Sequence, residues 1–233
     1  MALPRSLLYA AIFYPVTVIL CLVGVVATLF GRRATLAIVL GWVDFHHQLA
    51  THVLGITVRV EGTIPAGSNL IAVKHQSMFE TLEMVRLTSL PVIVLKKELA
   101  DLPLFGFLTK RYGHIAVERA AGAKALRALV EEGRRVAETG RSVIIYPEGT
   151  RVRPGQAPPL RSGFAALYRA LGFPVVPVAT DSGRLWGRGF IHQSGTITFK
   201  VGETIPPGLP RKDIEARVHA AINALESGAE ASA

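Results

Sequence analysis

The sequence predicts one α/β domain over residues 55–226, an N-terminal membrane-anchoring helical segment over 1–54 and a disordered tail over 227–233. Three observations lead there. Residues 7–30 carry no charge, short apolar runs alternate with helix-compatible segments from residue 56 onward, and 233 residues hold one sizeable core and little else. Half of the residues are apolar and the mean hydropathy is +0.37, high for a soluble domain of this size.

The uncharged stretch 7–30 is bounded by Arg5 and by Arg32-Arg33. At ~1.5 Å per residue its 24 residues reach about 36 Å, enough for a hydrocarbon core of roughly 30 Å. A secretory signal has an apolar region of only about 7–15 residues, so an anchor that stays attached is expected. Pro15 is expected to kink or split this helix, which leaves a helix lying partly in the membrane as the alternative to a full span. For a span, the heavier positive flank places residues 32 onward, and the domain with them, on the cytoplasmic side of the cytoplasmic (inner) membrane. Residues 34–43 are too short to span, and Asp44, His46, His47 and His52 follow them, so an interfacial helix with a solvated polar face is expected. His47 and His52 stand five apart, not four, with no Cys or Glu-x-x-His partner nearby, so no metal site is expected. The lone cysteine, Cys21, lies in the apolar stretch and forms no intrachain disulfide, which fits a reducing compartment.

Strand-like runs fall at 56–61, 70–74, 92–96, 115–117, 143–146, 175–179 and 196–201. Between them, 123–138 is the clearest helix, with Leu126, Leu129, Val130 and Val136 near the 3.6 period and Gly140 as its stop. Shorter helices are expected at 79–88, 161–171 and 213–225, and the proline-bearing 151–161 reads as a loop that can cover a site.

Two motifs carry chemistry. Lys74-His75-Gln76-Ser77-Met78-Phe79-Glu80 follows the apolar run 70–73, and Tyr146-Pro147-Glu148-Gly149-Thr150-Arg151 follows 143–145. On a regular helix, residues i and i+5 point about 140° apart. His75 and Glu80 therefore meet only if the imidazole sits in a strand-to-helix turn and the carboxylate in the first turn of the following helix. An imidazole held by a carboxylate takes a proton from a hydroxyl near neutral pH. Ser77 and Glu80 also match a capping box, so a helix-start role for Glu80 stands beside the imidazole-partner role. Arg151 after a Gly-Thr turn offers a fixed fork of donors to an anionic oxygen. Together the motifs describe a site that deprotonates an alcohol attached to a phosphate.

These residues resemble the glycerolipid acyltransferase family, in particular its bacterial members that acylate 1-acylglycerol-3-phosphate. His-x4-acid is that family's first block, with Glu80 here where Asp is usual, one methylene longer. Ala116-Val117-Glu118-Arg119 keeps the arginine of the second block, Glu148-Gly149-Thr150-Arg151 is the third, and Val175-Val176-Pro177-Val178-Ala179 resembles the fourth. Lys96-Lys97-Glu98-Leu99 between the first two is also similar, and the match covers roughly residues 55–205. The resemblance implies a mixed sheet flanked by helices and the synthesis of phosphatidic acid in phospholipid biosynthesis. It implies transfer of a fatty acyl group from an acyl carrier protein or coenzyme A thioester to the sn-2 hydroxyl of lysophosphatidic acid. His75 is then the base and Glu80 its orienting partner. Arg151 binds the phosphate together with Glu148, Gly149 and Thr150 of its block, assisted by Arg119 and by Lys96 or Lys97. For the two lysines a solvated strand end is the other reading. The backbone N–H groups after His75 are expected to serve a developing oxyanion. The chemistry needs no metal or organic cofactor.

A net charge of +9 fits attraction to anionic membrane lipids. No aromatic residues interleave with the basic clusters and no helix-turn-helix or RNA-recognition pattern occurs, so nucleic acid is not an expected partner. Gly187-Arg188-Gly189 lacks the third glycine and the strand–helix setting of a nucleotide loop, and there is no Gly-x-Ser-x-Gly elbow. Two other readings stay open: an acyltransferase acting on another lysolipid, such as lyso-ornithine lipid or a lysophospholipid, and a non-catalytic basic membrane-docking protein of the same fold.

Overall fold

The structure, a computed structural model, describes residues 2–88, 90–118 and 122–226. Helices α1 (Ala2–Ala27) and α2 (Arg32–Leu49) form an antiparallel pair, and α2 ends in one π turn over Ala50–Leu54. The domain then runs β1 (Ile56–Glu61), β2 (Leu70–Val73), α3 (Phe79–Leu87), β3 (Val92–Lys96), α4 (Lys97–Ala100), α5 (Phe105–Tyr112), β4 (Ile115–Val117) and α6 (Gly122–Ala137). It closes with β5 (Val143–Ile145), α7 (Ser162–Leu171), β6 (Val175–Thr180), β7 (Gly195–Val201) and α8 (Arg211–Ile222).

The seven strands form one mixed sheet in the order β1-β7-β6-β2-β5-β3-β4. β6, β2, β5, β3 and β4 run parallel, β7 runs against β6, and β1 pairs parallel with β7. Residues alternate across the sheet as the period of two requires. Ile71, Val73, Ile144, Val176 and Val178 face a core shared with α1, α2 and α3, whereas Leu70, Ala72, Val143, Ile145 and Val175 face α6, α7 and α8. Burial on both faces is why the central strands read as unbroken apolar runs. Because β2, β5, β3 and β4 are parallel and in close register, their carboxyl ends line one edge, where open α/β sheets place their ligands.

Three expectations about the N-terminus change. The helix continues through Pro15 rather than splitting there. Residues Ala2–Phe30 are long and apolar enough to cross a membrane, yet both halves of α1 rest on the domain. Ser6 Oγ accepts the His192 N–H at 2.9 Å, and a Cβ at Gly24 would lie 3.1 Å from Leu108 of α5. Those anchors are about 27 Å apart along the helix, so α1 lies along the domain and presents Leu7, Val18, Ile19 and Leu22 on its open side. Finally, α2 does not turn its histidines to solvent. His46 is fully buried among the rings of Phe13, Phe79 and Trp186, and its burial pulls the imidazole pKa down to about 3. His47 Nδ1 meets the buried Glu83 carboxylate at 3.0 Å, and His52 alone is solvent-facing in the expected way, bonded to Gln48. Phe105–Tyr112 forms a helix that its sequence did not announce, and the tail 227–233 lies outside the described residues.

Candidate active site

His75 follows directly on β2 and Lys74, in the turn leading into α3, and Glu80 is the second residue of that helix. Their side chains meet: His75 Nδ1 is 2.8 Å from Glu80 Oε1. The Glu80 carboxylate, on an arm one methylene longer than that of Asp, also reaches four more donors. Oε1 also accepts the N–H groups of Gln76 and Ser77, each at 2.7 Å, and Oε2 accepts the hydroxyls of Ser77 and of Ser182, the latter at 2.7 Å. Ser77 Oγ in turn accepts the Phe79 N–H at 3.0 Å. The capping box and the imidazole partner are therefore the same carboxylate, and the two readings of Glu80 were not alternatives. Burial alone would raise its pKa, but the bond to His75, its charge and the two serine hydroxyls outweigh that and hold the carboxyl below its ordinary value. An ionised carboxylate only accepts, so Nδ1 carries a proton, and in the neutral imidazole Nε2 keeps the lone pair. The imidazole lies over the ring of Tyr146, with centroids 4.2 Å apart, and keeps 12% of its side chain exposed.

The same bonds occupy several of the expected oxyanion donors. The N–H of His75 is bound to Glu148 and those of Gln76, Ser77 and Phe79 to Glu80 and Ser77, so these four groups do not point into open space.

The third block divides. Glu148 is not a phosphate contact: it is buried, with Oε1 2.7 Å from Lys74 Nζ and Oε2 accepting the His75 N–H at 2.9 Å. An anion so placed repels phosphate, and its work is to tie the carboxyl ends of β5 and β2 together and fix the backbone of His75. Desolvation pushes its carboxyl up in spite of Lys74. Gly149 makes the turn rather than a contact, with φ +70 and its N–H bound to the Tyr146 carbonyl at 2.9 Å. A Cβ there would also meet Arg161 Cγ at 2.9 Å, so glycine is required twice over. Thr150 and Arg151 emerge exposed, and the next residue, Val152, donates its N–H to the His75 carbonyl at 2.7 Å, which holds the Arg151 loop against the imidazole turn. Lys96 and Lys97 stand exposed at the carboxyl end of β3, paired with Glu98 at 2.8 Å and Asp101 at 2.9 Å. β3 is two strands from β2, about 10 Å along the sheet edge. Arg119 lies outside the described residues.

Sequence reasoning missed three participants. Lys74, fully buried, is held by Glu148, by the Gln156 carbonyl at 2.7 Å and by Asn223 Oδ1 at 2.6 Å; a lysine ending an apolar run was the available signal. Ser182 reaches Glu80 from the end of β6, and nothing in the sequence announces it. The third is an apolar cavity of about 130 Å³ between the α1–α2 pair and α3, β3 and α5, bordered by Leu20, Trp42, Thr81, Val85, Leu99 and Tyr112.

A buried carboxylate holding an imidazole whose second nitrogen is unbonded, with an exposed arginine on the loop tied to the same turn, is an arrangement able to take a proton from a hydroxyl. The family model described as Acyltransferase matches residues 55–181, and the chain belongs to that family. It is 34% identical over 168 residues to a 1-acyl-sn-glycerol-3-phosphate acyltransferase of Pseudomonas aeruginosa, covering 71% of this chain and 65% of that protein. A protein of the same description from Limnanthes douglasii is 30% identical over 163 residues, 68% of this chain and 57% of its own length. The chain thus matches less than two thirds of these relatives. In fold it is similar to the crystal structure of the 1-acyl-sn-glycerophosphate (LPA) acyltransferase, PlsC, from Thermotoga maritima. The TM-score is 0.77 at 23% identity, covering 100% of this chain and 99% of that one.

Proposed function

We propose that this protein transfers a fatty acyl group from a thioester to the sn-2 hydroxyl of 1-acyl-glycerol-3-phosphate, giving phosphatidic acid. The observation that carries the reading is the His75–Glu80 pair, with Nδ1 occupied by the carboxylate and Nε2 without a partner among the described residues. The relatives' names supply the substrate class. In the reaction, His75 Nε2 takes the hydroxyl proton as that oxygen attacks the thioester carbonyl. As the carbon–sulfur bond breaks, the imidazolium returns the proton to the departing thiolate. Glu80 keeps the tautomer and stabilises the imidazolium. Arg151 binds the acceptor's phosphate, assisted by Arg119 and by Lys96 at the end of β3 or Lys97 at the start of α4. The apolar cavity takes an acyl chain. Among these residues the chemistry asks for no metal or organic cofactor.

The open apolar side of α1 supports docking in one leaflet, with the site at the interface and the domain on the cytoplasmic face, rather than a full span. Acceptor competition in detergent tests the substrate. Lysophosphatidate, lyso-ornithine lipid and a lysophospholipid are offered together with either an acyl carrier protein or a coenzyme A thioester. Preference for lysophosphatidate is expected; preference for a phosphate-free acceptor refutes the assignment.

A further inference from the structure

A second cavity, of about 300 Å³, lies between the N-terminal half of α1 and the loop joining β6 to β7, bounded by Tyr9, Tyr14, Met78, Arg151, Trp186 and Arg188. It adjoins the imidazole turn, because Met78 is three residues from His75 and the Arg151 loop is bonded to the His75 carbonyl. Two guanidiniums share it. Arg188 Nη2 donates to the Arg151 carbonyl at 2.6 Å, so the two residues are neighbours, and neither forms an ion pair with a carboxylate among the described residues. Two adjacent cations without a counter-charge favour an anion between them. The Tyr9 hydroxyl, on a residue only 2% exposed, has no hydrogen-bond partner, and neither has the buried Nδ1 of His192. Both residues border the cavity, so its wall carries polar atoms that the described residues leave without a partner.

We infer that this cavity seats the phosphate monoester of the acceptor, with Arg188 joining Arg151 as a second ligand to it. This rests on the reading of the acceptor as a phosphate-bearing lysolipid. A dianion with three terminal oxygens can receive two forks at once. The sequence alone passed over Gly187-Arg188-Gly189 because no nucleotide loop fits it; its arginine serves a different phosphate. The α1 helix then completes the headgroup site as well as anchoring the chain.

The test is a binding titration of the full-length protein in detergent, followed by Trp186 fluorescence in a Trp42→Phe background, which leaves one tryptophan, at the cavity wall. The probes are hexanoyl-lysophosphatidate, monohexanoylglycerol and inorganic phosphate. Arg188→Gln retains a donor for the Arg151 carbonyl but not the charge, so a mere strut survives it and a clamp does not. The expected result is a loss of about tenfold or more in lysophosphatidate affinity. Arg188→Lys should fall between, and monohexanoylglycerol binding should be unchanged. Unchanged lysophosphatidate affinity in Arg188→Gln, or equal losses on the neutral probe, overturns the clamp. Inorganic phosphate binding as tightly as the lipid, with the same arginine dependence, overturns the headgroup assignment in favour of a free-phosphate site. No thioester enters this measurement, so a wild type that binds but does not turn over rejects the acyl-transfer reading and leaves the cavity assignment standing.

Discussion

Replacing Glu80 by glutamine isolates its charge from its geometry. Three N–H donors converge on Oε1, those of His75 Nδ1, Gln76 and Ser77, at 2.8, 2.7 and 2.7 Å. Two hydroxyls meet Oε2, and each can rotate to accept instead of donate. A glutamine therefore settles with its carbonyl oxygen at the first position and its amide nitrogen at the second. His75 keeps its Nδ1 proton, Nε2 stays open, and only the charge facing the imidazolium is lost. A charge-assisted bond contributes about 1.5–3 kcal/mol, which at ~1.36 kcal/mol per decade gives a fall in kcat of roughly ten- to 150-fold. That is well short of the ~10⁴-fold loss that follows when an amide forces the wrong tautomer. The assay is initial-rate thiol release with lysophosphatidate as acceptor, with thermal melting as a check on the fold. Wild-type turnover by Glu80→Gln would show that the carboxylate is a helix cap alone. A loss of four decades or more in a folded protein would show that Oε1 does not fix the amide as argued.

Arg151→Ala should raise the KM for lysophosphatidate by about ten- to a hundredfold while lowering kcat less, with Arg151→Lys rescuing part and a neutral acceptor indifferent; steady-state kinetics on both acceptors decides it. Lys74→Met strands Glu148 without its partner and should cost about 3–5 kcal/mol in denaturant melts, part of which Lys74→Met/Glu148→Gln recovers. Full stability in the single variant would mean the pair is not buried as found. The unfolded imidazole of His46 binds its proton near 6.5 and the folded one only near 3, so between those values the unfolded state holds more protons and stability falls on acidification. From pH 7 to pH 5 the loss is about 2 kcal/mol for such a group, and His46→Phe should flatten the slope by that amount; an unchanged slope rejects the buried neutral state.

Much of this was legible in the chain because the signals are local. All seven strands and the main helices follow from apolar runs and their periods, and the angle between i and i+5 says where His75 must sit, in the turn before the helix, for it to meet Glu80. What stayed hidden depends on contacts distant in sequence. Ser182 reaches Glu80 across 102 residues, and Lys74 finds Asn223 across 149. His46 reads as a polar residue on an interfacial helix until Phe13, Phe79 and Trp186, from three separate elements, close around it. Glu148 was misassigned because a motif gives proximity to a site but not the direction in which a side chain turns. The same limit hid Arg188, whose value lies in its neighbour Arg151.

The most direct test of the central claim is product formation by the wild type beside His75→Ala, each purified whole in detergent and given lysophosphatidate with each thioester donor. The account predicts one phosphatidate per thiol released by the wild type. For His75→Ala it predicts a rate lower by at least ~10²–10⁴-fold with an unchanged melting temperature. Near wild-type turnover by a folded His75→Ala protein, or no phosphatidate from the wild type with either donor, would contradict it.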